Sequence, residues 1–577
     1  MNRFVSQHRF AEIPRAEIPR SVFDRSFTTK TAFNSGYLIP VFFDEVLPGD
    51  TFDVNASFFT RLATPVVPIM DNLWLDSFFF FVPYRLVWDH WTNMHGERKN
   101  PQDSVDYICP TVTAPDNGFG FGSIYDYLGI PPDKKLTVNA LPLRACNLIY
   151  NEWFRDENLQ DSLAVNTGDE NDSPTTYSLF RRGKRHDYFT SCLPWPQKGD
   201  SVEVSLGSSA PVSITSVDSS DPSGKIVPVS PVPTFTWSDS SFNSRLAINA
   251  SGPFKLGGYS FYADEASSGS KGSWRVYAPS GVGNPELSQP VYSSGLHFSG
   301  LGGWNVDTLR AVADLSNASP ITINSLRYAF QLQKLLERDA RGGTRYTELL
   351  QSHFGVTNPD LRLQRPEYLG GSSTRITINP VQQTSSTNDT TPQGNLAAYG
   401  VGSDVFHGFN RSFTEYGCII GFVSVRADLT YQQGLNRAWF RKSRFDFYYP
   451  VFSHLGEQTV LNKEIYAQGS SVKDAAGNVI DEQVFGYQER YAEYRYKPSM
   501  ITGIMRSTAP QSLDVWHLSQ KFENLPKLNA EFIQDNPPVA RAVAVQNEPQ
   551  FIFDAYFKMK CARPMPVYSV PSLVDHF

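Results

Sequence analysis

Apolar and polar residues alternate along Thr51 to Leu62, TFDVNASFFTRL, the two-residue period of a strand with one face buried. Leu73 to Val82 is more continuously apolar and reads as a strand deep in a sandwich. Cys418 to Tyr431, CIIGFVSVRADLTY, Phe445 to Phe452, FDFYYPVF, and Phe551 to Met559, FIFDAYFKM, read as three more strands. Helical spacing takes over in Leu141 to Arg155, where Leu141, Ala145, Leu148, Ile149 and Trp153 share a side. It recurs in the central stretch Asn324 to Gly371, where Tyr328, Ala329, Leu332, Leu335 and Leu336 mark a helix capped by Asn324 or Ser325. Gly342 and Gly343 stop that helix, and a shorter one carries Tyr346, Leu349 and Leu350 before Gly355. Pro380 to Gly402 reads as a polar loop. Strands drawn from both ends of the chain, joined by long loops, predict a mainly β antiparallel sandwich with a few short helices. Periodicity alone does not choose among sandwiches.

The central stretch is also the densest in charge. Glu337, Arg338, Asp339, Arg341, Arg345, Arg362, Arg365 and Glu367 surround the Gly342-Gly343 turn. Two readings fit: a solvated face, or a surface that registers against another copy of the chain. Guanidinium–carboxylate forks are directional and tolerate desolvation, so these eight residues are the candidates for an intersubunit contact.

Composition narrows the function. Aromatics are 14% of 577 residues and charged residues only 19%, with net charge −7. A chain of that balance is not, as a whole, a polyelectrolyte binder of nucleic acid. Locally the balance reverses: residues 1–30 hold the tandem repeat AEIPR at Ala11–Arg15 and Ala16–Arg20, and cations outnumber acids there. Its prolines forbid a regular helix. It reads as a surface tail, or as an extended arm on an inner surface with Arg3, Arg9, Arg15 and Arg20 toward phosphate. Residues 197–303 turn rich in Ser and Gly, with the short strands VEVSL, VSITSV, FTWSD, GGYSFYAD and SWRVYAP; their Trp and Tyr residues indicate a folded, β-rich insertion. Five widely spaced cysteines suit reduced thiols in a cytoplasmic fold. The N-terminus lacks the apolar core of a signal peptide, and no apolar run approaches the ~20 residues of a membrane span.

Catalytic patterns do not emerge. The ten histidines form no HExxH or His-x-His pair, and there is no GxSxG elbow. Ser270-Lys-Gly-Ser273 lacks the frame of a phosphate loop. No metal, cofactor or catalytic residue is expected. The rival to a structural role is a carbohydrate-binding β-sandwich or glycoside hydrolase, suggested by β content and aromatics.

Longer motifs decide between them. LLERDARGGTRYTELLQSHFGV and RLQRPEYLGG in the central stretch are joined by Thr31–Pro40, LPGDTF at Leu47–Phe52, FFVPYRLVWDHW at Phe80–Trp91, and NEWFRDENL at Asn151–Leu159. VRADLTYQQGL at Val425–Leu435, VFGYQERYAEYRYKPS at Val484–Ser499, and the final RPMPVYSVPSLVDHF complete the set. Together these resemble the major capsid proteins of the Microviridae, specifically the gokushovirus branch of small icosahedral single-stranded DNA phages. The resemblance implies a single eight-stranded antiparallel jelly roll of viral capsid type with long loop insertions, its shell domain formed by residues 31–196 and 304–577. It implies a homo-oligomer of sixty copies in a T=1 shell around circular single-stranded DNA. Implied partners are an internal scaffolding protein during assembly, a DNA pilot protein, a small DNA-binding protein and a host cell-surface receptor. The location is the virion, with the host bacterial cytoplasm during assembly. The insertion would form a threefold protrusion used in host attachment, with Trp237, Phe242, Tyr259, Phe261, Tyr262, Trp274 and Tyr277 packing its stalk or cap, or meeting the receptor.

Overall fold

The structure is a computed structural model that describes residues 19–202 and 322–568, apart from 386, 388, 390, 391 and the side chains of 406 and 407, together with the backbone of short strands within 212–313. By its internal contacts the chain divides into two compact units, Met1–Asp200 with Gln333–Phe577, and Ser201–Leu332.

The first unit is mainly β, with large antiparallel sheets. Its long strands are β1 (Phe27–Phe33), β2 (Tyr37–Val46), β3 (Thr51–Leu62), β4 (Leu73–Pro83), β5 (Glu367–Gln382), β6 (Leu396–Ser412), β7 (Gly417–Ala427) and β8 (Phe551–Arg563). One sheet runs β1–β8–β3–β6, all antiparallel, with Phe58 opposite Ala555 on one side and Asp404 on the other. The other runs β2–β7–β4–β5, with Ile420 opposite both Phe43 and Phe80. β5 joins the two sheets: Glu367–Ile376 pairs with β4, while Thr377–Gln382 turns to β6. Phenylalanines fill the space between. Phe42 of β2 meets Phe557 of β8 edge-on at 5.1 Å, and Phe79 of β4 meets Phe409 of β6 at 5.8 Å. Contacts of this kind across two facing sheets make a sandwich, and each ring pair adds about 0.5–1.5 kcal/mol beyond its burial.

The apolar run in β4 has a second cause. Helix α1 (Leu141–Ile149) lies on the other side of its sheet, where Leu141, Ala145 and Ile149 share a buried cluster with Phe80, Ile420 and Phe422. β4 is thus covered on both faces, which removes the alternation a half-exposed strand shows. A third cluster, including Tyr188, Phe189, Val460, Ile465 and Phe485, packs beneath the long connection between β7 and β8.

Several boundaries differ from the sequence reading. Residues Ser21–Asp24 and Phe27–Phe33 pair with β8, so this part of the expected arm is sheet: its alternating residues meet the exposed edge of the last strand. Phe445–Phe452 is not a strand. It holds two short turns, Arg444–Asp446 and Pro450–Phe452, because Asp446 accepts the amides of Lys442 and Ser443 at 2.8 and 2.7 Å and Pro450 has no amide to donate. The loop expected over Pro380–Gly402 shrinks to residues 383–395, since both its ends extend β5 and β6. The strand read to Tyr431 ends at Ala427. Four strands, β1, β2, β5 and β6, were not read as strands at all.

In the second unit, Val212–Val217 lies between Ile226–Pro228 and Leu309–Ala313. Thr234–Trp237 pairs with Leu296–Ser299, and Leu246–Ala247, Phe254–Leu256, Tyr259–Ala263 and Trp274–Tyr277 form a four-stranded antiparallel sheet. All but the first residue of VEVSL lies outside the described residues. No helix among the described residues is long and apolar enough to cross a membrane.

Candidate assembly site

Two helices frame the central stretch, α2 (Ile323–Gly342) and α3 (Tyr346–Phe354). Thr322 caps the first, since its hydroxyl accepts the amide of Ser325 at 3.1 Å; neither Asn324 nor Ser325 is the cap. Gly343 turns the chain with φ +96°, and a Cβ there would meet the Glu348 carboxylate at 2.3 Å. Glycine is therefore required both by the backbone angle and by the close approach. Gly355, at φ +69°, ends α3.

The eight charged candidates do not form one outward patch. Six find partners within the same chain. Arg341 reaches across to the hairpin of Glu457–Leu461 and Val484–Glu489, where its guanidinium forks onto Glu457 and donates to Gln488 at 3.2 Å. Arg345 donates to the carbonyls of Asn151 and Arg155 at 2.8 and 2.9 Å and pairs with Glu157 at 3.0 Å. Arg365 pairs with Asp360 at 2.7 Å and lies 4.5 Å over the Trp153 ring. Asp339 contacts His353 at 2.7 Å, Glu337 accepts from Gln333 at 2.8 Å, and Glu367 pairs with Arg411. Arg338 and Arg362 are exposed and form no ion pair among the described residues.

Burial sets the electrostatics. It pushes the carboxyl groups of Glu457 and Glu157 up from their ordinary value, against the opposing pull of Arg341 and Arg345 respectively. These arginines are therefore ties that fasten the central helices to the π-helical turn Tyr150–Phe154 that follows α1, to Arg155 and Glu157 beyond it, and to the Glu457 hairpin. Sequence reading found the arginines but not their partners, which lie more than a hundred residues away for Arg341 and Arg345. Trp153 and Glu157 were in view, inside the NEWFRDENL motif.

Arg341→Ala is expected to destabilise the folded chain by about 1–3 kcal/mol, since removing one member of a part-buried pair leaves the Glu457 charge short of its partner. Urea unfolding of the unassembled chain measures this. An unchanged midpoint would restore Arg341 to a purely intersubunit role.

Among the residues the central helices leave outward are several large apolar ones. In the first unit Leu335 on α2 and Tyr346 and Phe354 on α3 are exposed; in the second unit Ile323, Leu326, Tyr328 and Phe330 are exposed. Exposed apolar side chains of this size mark a candidate contact surface.

The other candidates divide between described and undescribed residues. Arg20 ties the β2–β3 turn, donating to the Gly49 carbonyl at 2.6 Å and the Thr51 hydroxyl at 2.9 Å. Arg3, Arg9 and Arg15 lie outside the described residues, as does Phe242. Trp237 stands opposite Leu296, and Phe261 opposite Phe254 and Val276. Tyr259, Tyr262, Trp274 and Tyr277 lie on the four-stranded sheet. Among the described residues no group of three or more His, Cys, Asp or Glu side chains could hold a metal ion, and the five cysteines are free.

Residues 11–573 match the family model described as capsid protein (F protein). The chain belongs to this phage capsid protein family. It is 46% identical to capsid protein VP1 of Bdellovibrio phage phiMH2K, over 99% of both chains. It is 47% identical to capsid protein VP1 of Chlamydia phage 1, over 99% of this chain and 98% of that one, and 35% identical to capsid protein VP1 of Spiroplasma virus 4, over 98% and 97%. All three are gokushovirus-type Microviridae, as the sequence motifs implied. This member of the phage capsid family is thus a structural major capsid protein and not an enzyme, which removes the sugar-binding and glycosidase readings. Membership implies oligomeric assembly and a place in the virion.

Proposed function

We propose that sixty copies of the chain build a T=1 icosahedral shell around circular single-stranded DNA. The observation that carries this reading is the division of labour at α2 and α3. Arg341 and Arg345 are consumed inside the chain, while Leu335, Tyr346 and Phe354 stand uncovered, in a family whose members assemble capsids. Repeated, weak, shape-specific contacts summed by closed symmetry are enough to hold such a shell. The strand order β1–β8–β3–β6 facing β2–β7–β4–β5 supports reading the sandwich as one eight-stranded jelly roll, which carries long loops at its ends without disturbing its core. Arg338 and Arg362, the two candidates with no ion pair among the described residues, are the charges left for contact with another copy.

In this reading the chain gathers with an internal scaffolding protein in the host bacterial cytoplasm, and the shell later holds the genome, a DNA pilot protein and a small DNA-binding protein. Residues 1–20 line the inner surface, with Arg3, Arg9 and Arg15 toward phosphate. The Ser- and Gly-rich insertion, residues 197–303, most of which falls in the unit Ser201–Leu332, forms the threefold protrusion and meets the host receptor. Co-expression with the scaffolding protein tests the shell: the chain should sediment as a particle rather than as a small oligomer. A particle whose residues 200–300 are replaced by a short Gly/Ser linker should still form, yet lose adsorption to host cells. Normal attachment would remove the receptor role, and absence of shells would place the segment in the assembly core.

A further inference from the structure

The stretch Arg437–Phe452 carries an unusual surface. It holds four cations, Arg437, Arg441, Lys442 and Arg444, one acid, Asp446, and seven aromatic residues. Short turns replace the strand its sequence suggested, and they aim rings outward. Trp439 is 80% exposed, and Phe445, Phe447, Tyr448 and Tyr449 are each about half exposed. Phe447 and Tyr448 are nevertheless held in place. Arg441 lies 4.3 Å over Tyr494 and 5.5 Å over Phe447, and its charge is taken by Glu493 at 3.0 Å. Tyr448 packs edge-on against Tyr491 at 5.0 Å, and the Tyr491 hydroxyl donates to the Phe447 carbonyl. Asp446 turns its carboxylate back onto the amides of Lys442 and Ser443, and those hydrogen bonds hold its pKa below the ordinary carboxylate value. Lys442 and Arg444 form no ion pair among the described residues, and Arg444 lies over the Phe445 ring at 4.8 Å.

We propose that this loop is a binding site for single-stranded nucleic acid, with bases stacking on Trp439 and its neighbouring rings and phosphates meeting Lys442 and Arg444. Two features favour this ligand. Exposed flat rings accept any unpaired base, and stacking of that kind tolerates all four. The free charges here are cations, which suit a polyanion and disfavour a face-to-face contact of the loop with its own copy. Phe447 and Tyr448 are fixed before binding, so little of their side-chain freedom is lost. Within the shell reading above, on which the identity of the strand as packaged genome rests, the loop fastens DNA at every copy, independently of the N-terminal arm.

The test uses the full-length unassembled chain and a fluorescent twenty-residue oligothymidylate, followed by anisotropy at several salt concentrations. Trp439→Ala is expected to weaken binding about tenfold with an unchanged salt slope. Lys442→Gln with Arg444→Gln is expected to reduce that slope by about 1.4, the loss of two phosphate contacts to a single strand. A duplex of equal length, whose bases are not free to stack, should be insensitive to Trp439→Ala. Wild-type affinity in both variants would overturn the site. So would loss of shells by these variants with oligonucleotide affinity unchanged, since the loop would then be a contact between copies. If the wild-type chain forms no shells but the Trp439 effect stands, the site survives and the shell reading fails.

Discussion

Replacing Arg144 with methionine is expected to be the most damaging single substitution in the shell unit, costing about 3–5 kcal/mol. The guanidinium is fully buried and holds Asp172 in a fork at 2.7 and 3.0 Å. It also donates to the carbonyls of Val87, Gly168 and Glu170. Methionine fills much of the volume but leaves the Asp172 carboxylate and three carbonyls short of donors, in a place water does not reach. Urea unfolding of the unassembled chain should show the loss, and a full-strength variant would mean that the network is dispensable.

The same network carries a pH dependence. Burial raises the Asp172 carboxyl, but hydrogen bonds from Arg144, Tyr177 and Asn166 outweigh it, and the net shift is downward. A group whose native pKa is depressed contributes stability that is present above its unfolded value, about 3.9, and lost as pH falls through the native one. Without Arg144 the burial dominates and the carboxyl protonates more readily. The stability gap between wild type and Arg144→Met should therefore narrow on acidification below about pH 4. A gap that widens would contradict this sign.

The second large effect belongs to assembly. Tyr346→Asp with Phe354→Asp is expected to abolish shells while leaving the chain folded. Both side chains are largely exposed, 67% and 76%, so the folded monomer loses about 0.5 kcal/mol or less. Covered by a neighbouring copy, each would contribute about 1.5–3 kcal/mol, and every copy in the particle would lose it together. Sedimentation of the co-expressed variant should place it with small oligomers, and its unfolding midpoint should match the wild type. Shells at normal yield would show that α3 faces solvent in the particle.

How much was legible depends on where each residue's partners lie. β3 announced itself because one face is buried and the other half-exposed in strict alternation. β8 did so for the same reason. β5 did not: of its sixteen residues only Ile376 is buried, and glycines at 370 and 371 sit beside a register shift, so its pattern carries almost no apolar signal. Phe445–Phe452 misled in the opposite direction. Its aromatics look like a core strand, yet they point outward, and the turn chemistry of Asp446 and Pro450 outweighs their β preference. At the candidate site, arginine density was visible and its use was not. Arg341 pairs with Glu457 and Arg345 with Glu157, and no local pattern links residues brought together only by the fold. Family motifs carried the function further than any periodicity could.

A three-dimensional reconstruction of the particle formed with the scaffolding protein tests the division between internal charge and external apolar contact most directly. The expected result is a closed shell in which Phe330, Tyr346 and Phe354 are covered by neighbouring copies, while Arg341 and Arg345 keep Glu457 and Glu157 of their own chain. A shell with those aromatic rings open to solvent, or with the arginines paired across the boundary between copies, would contradict it.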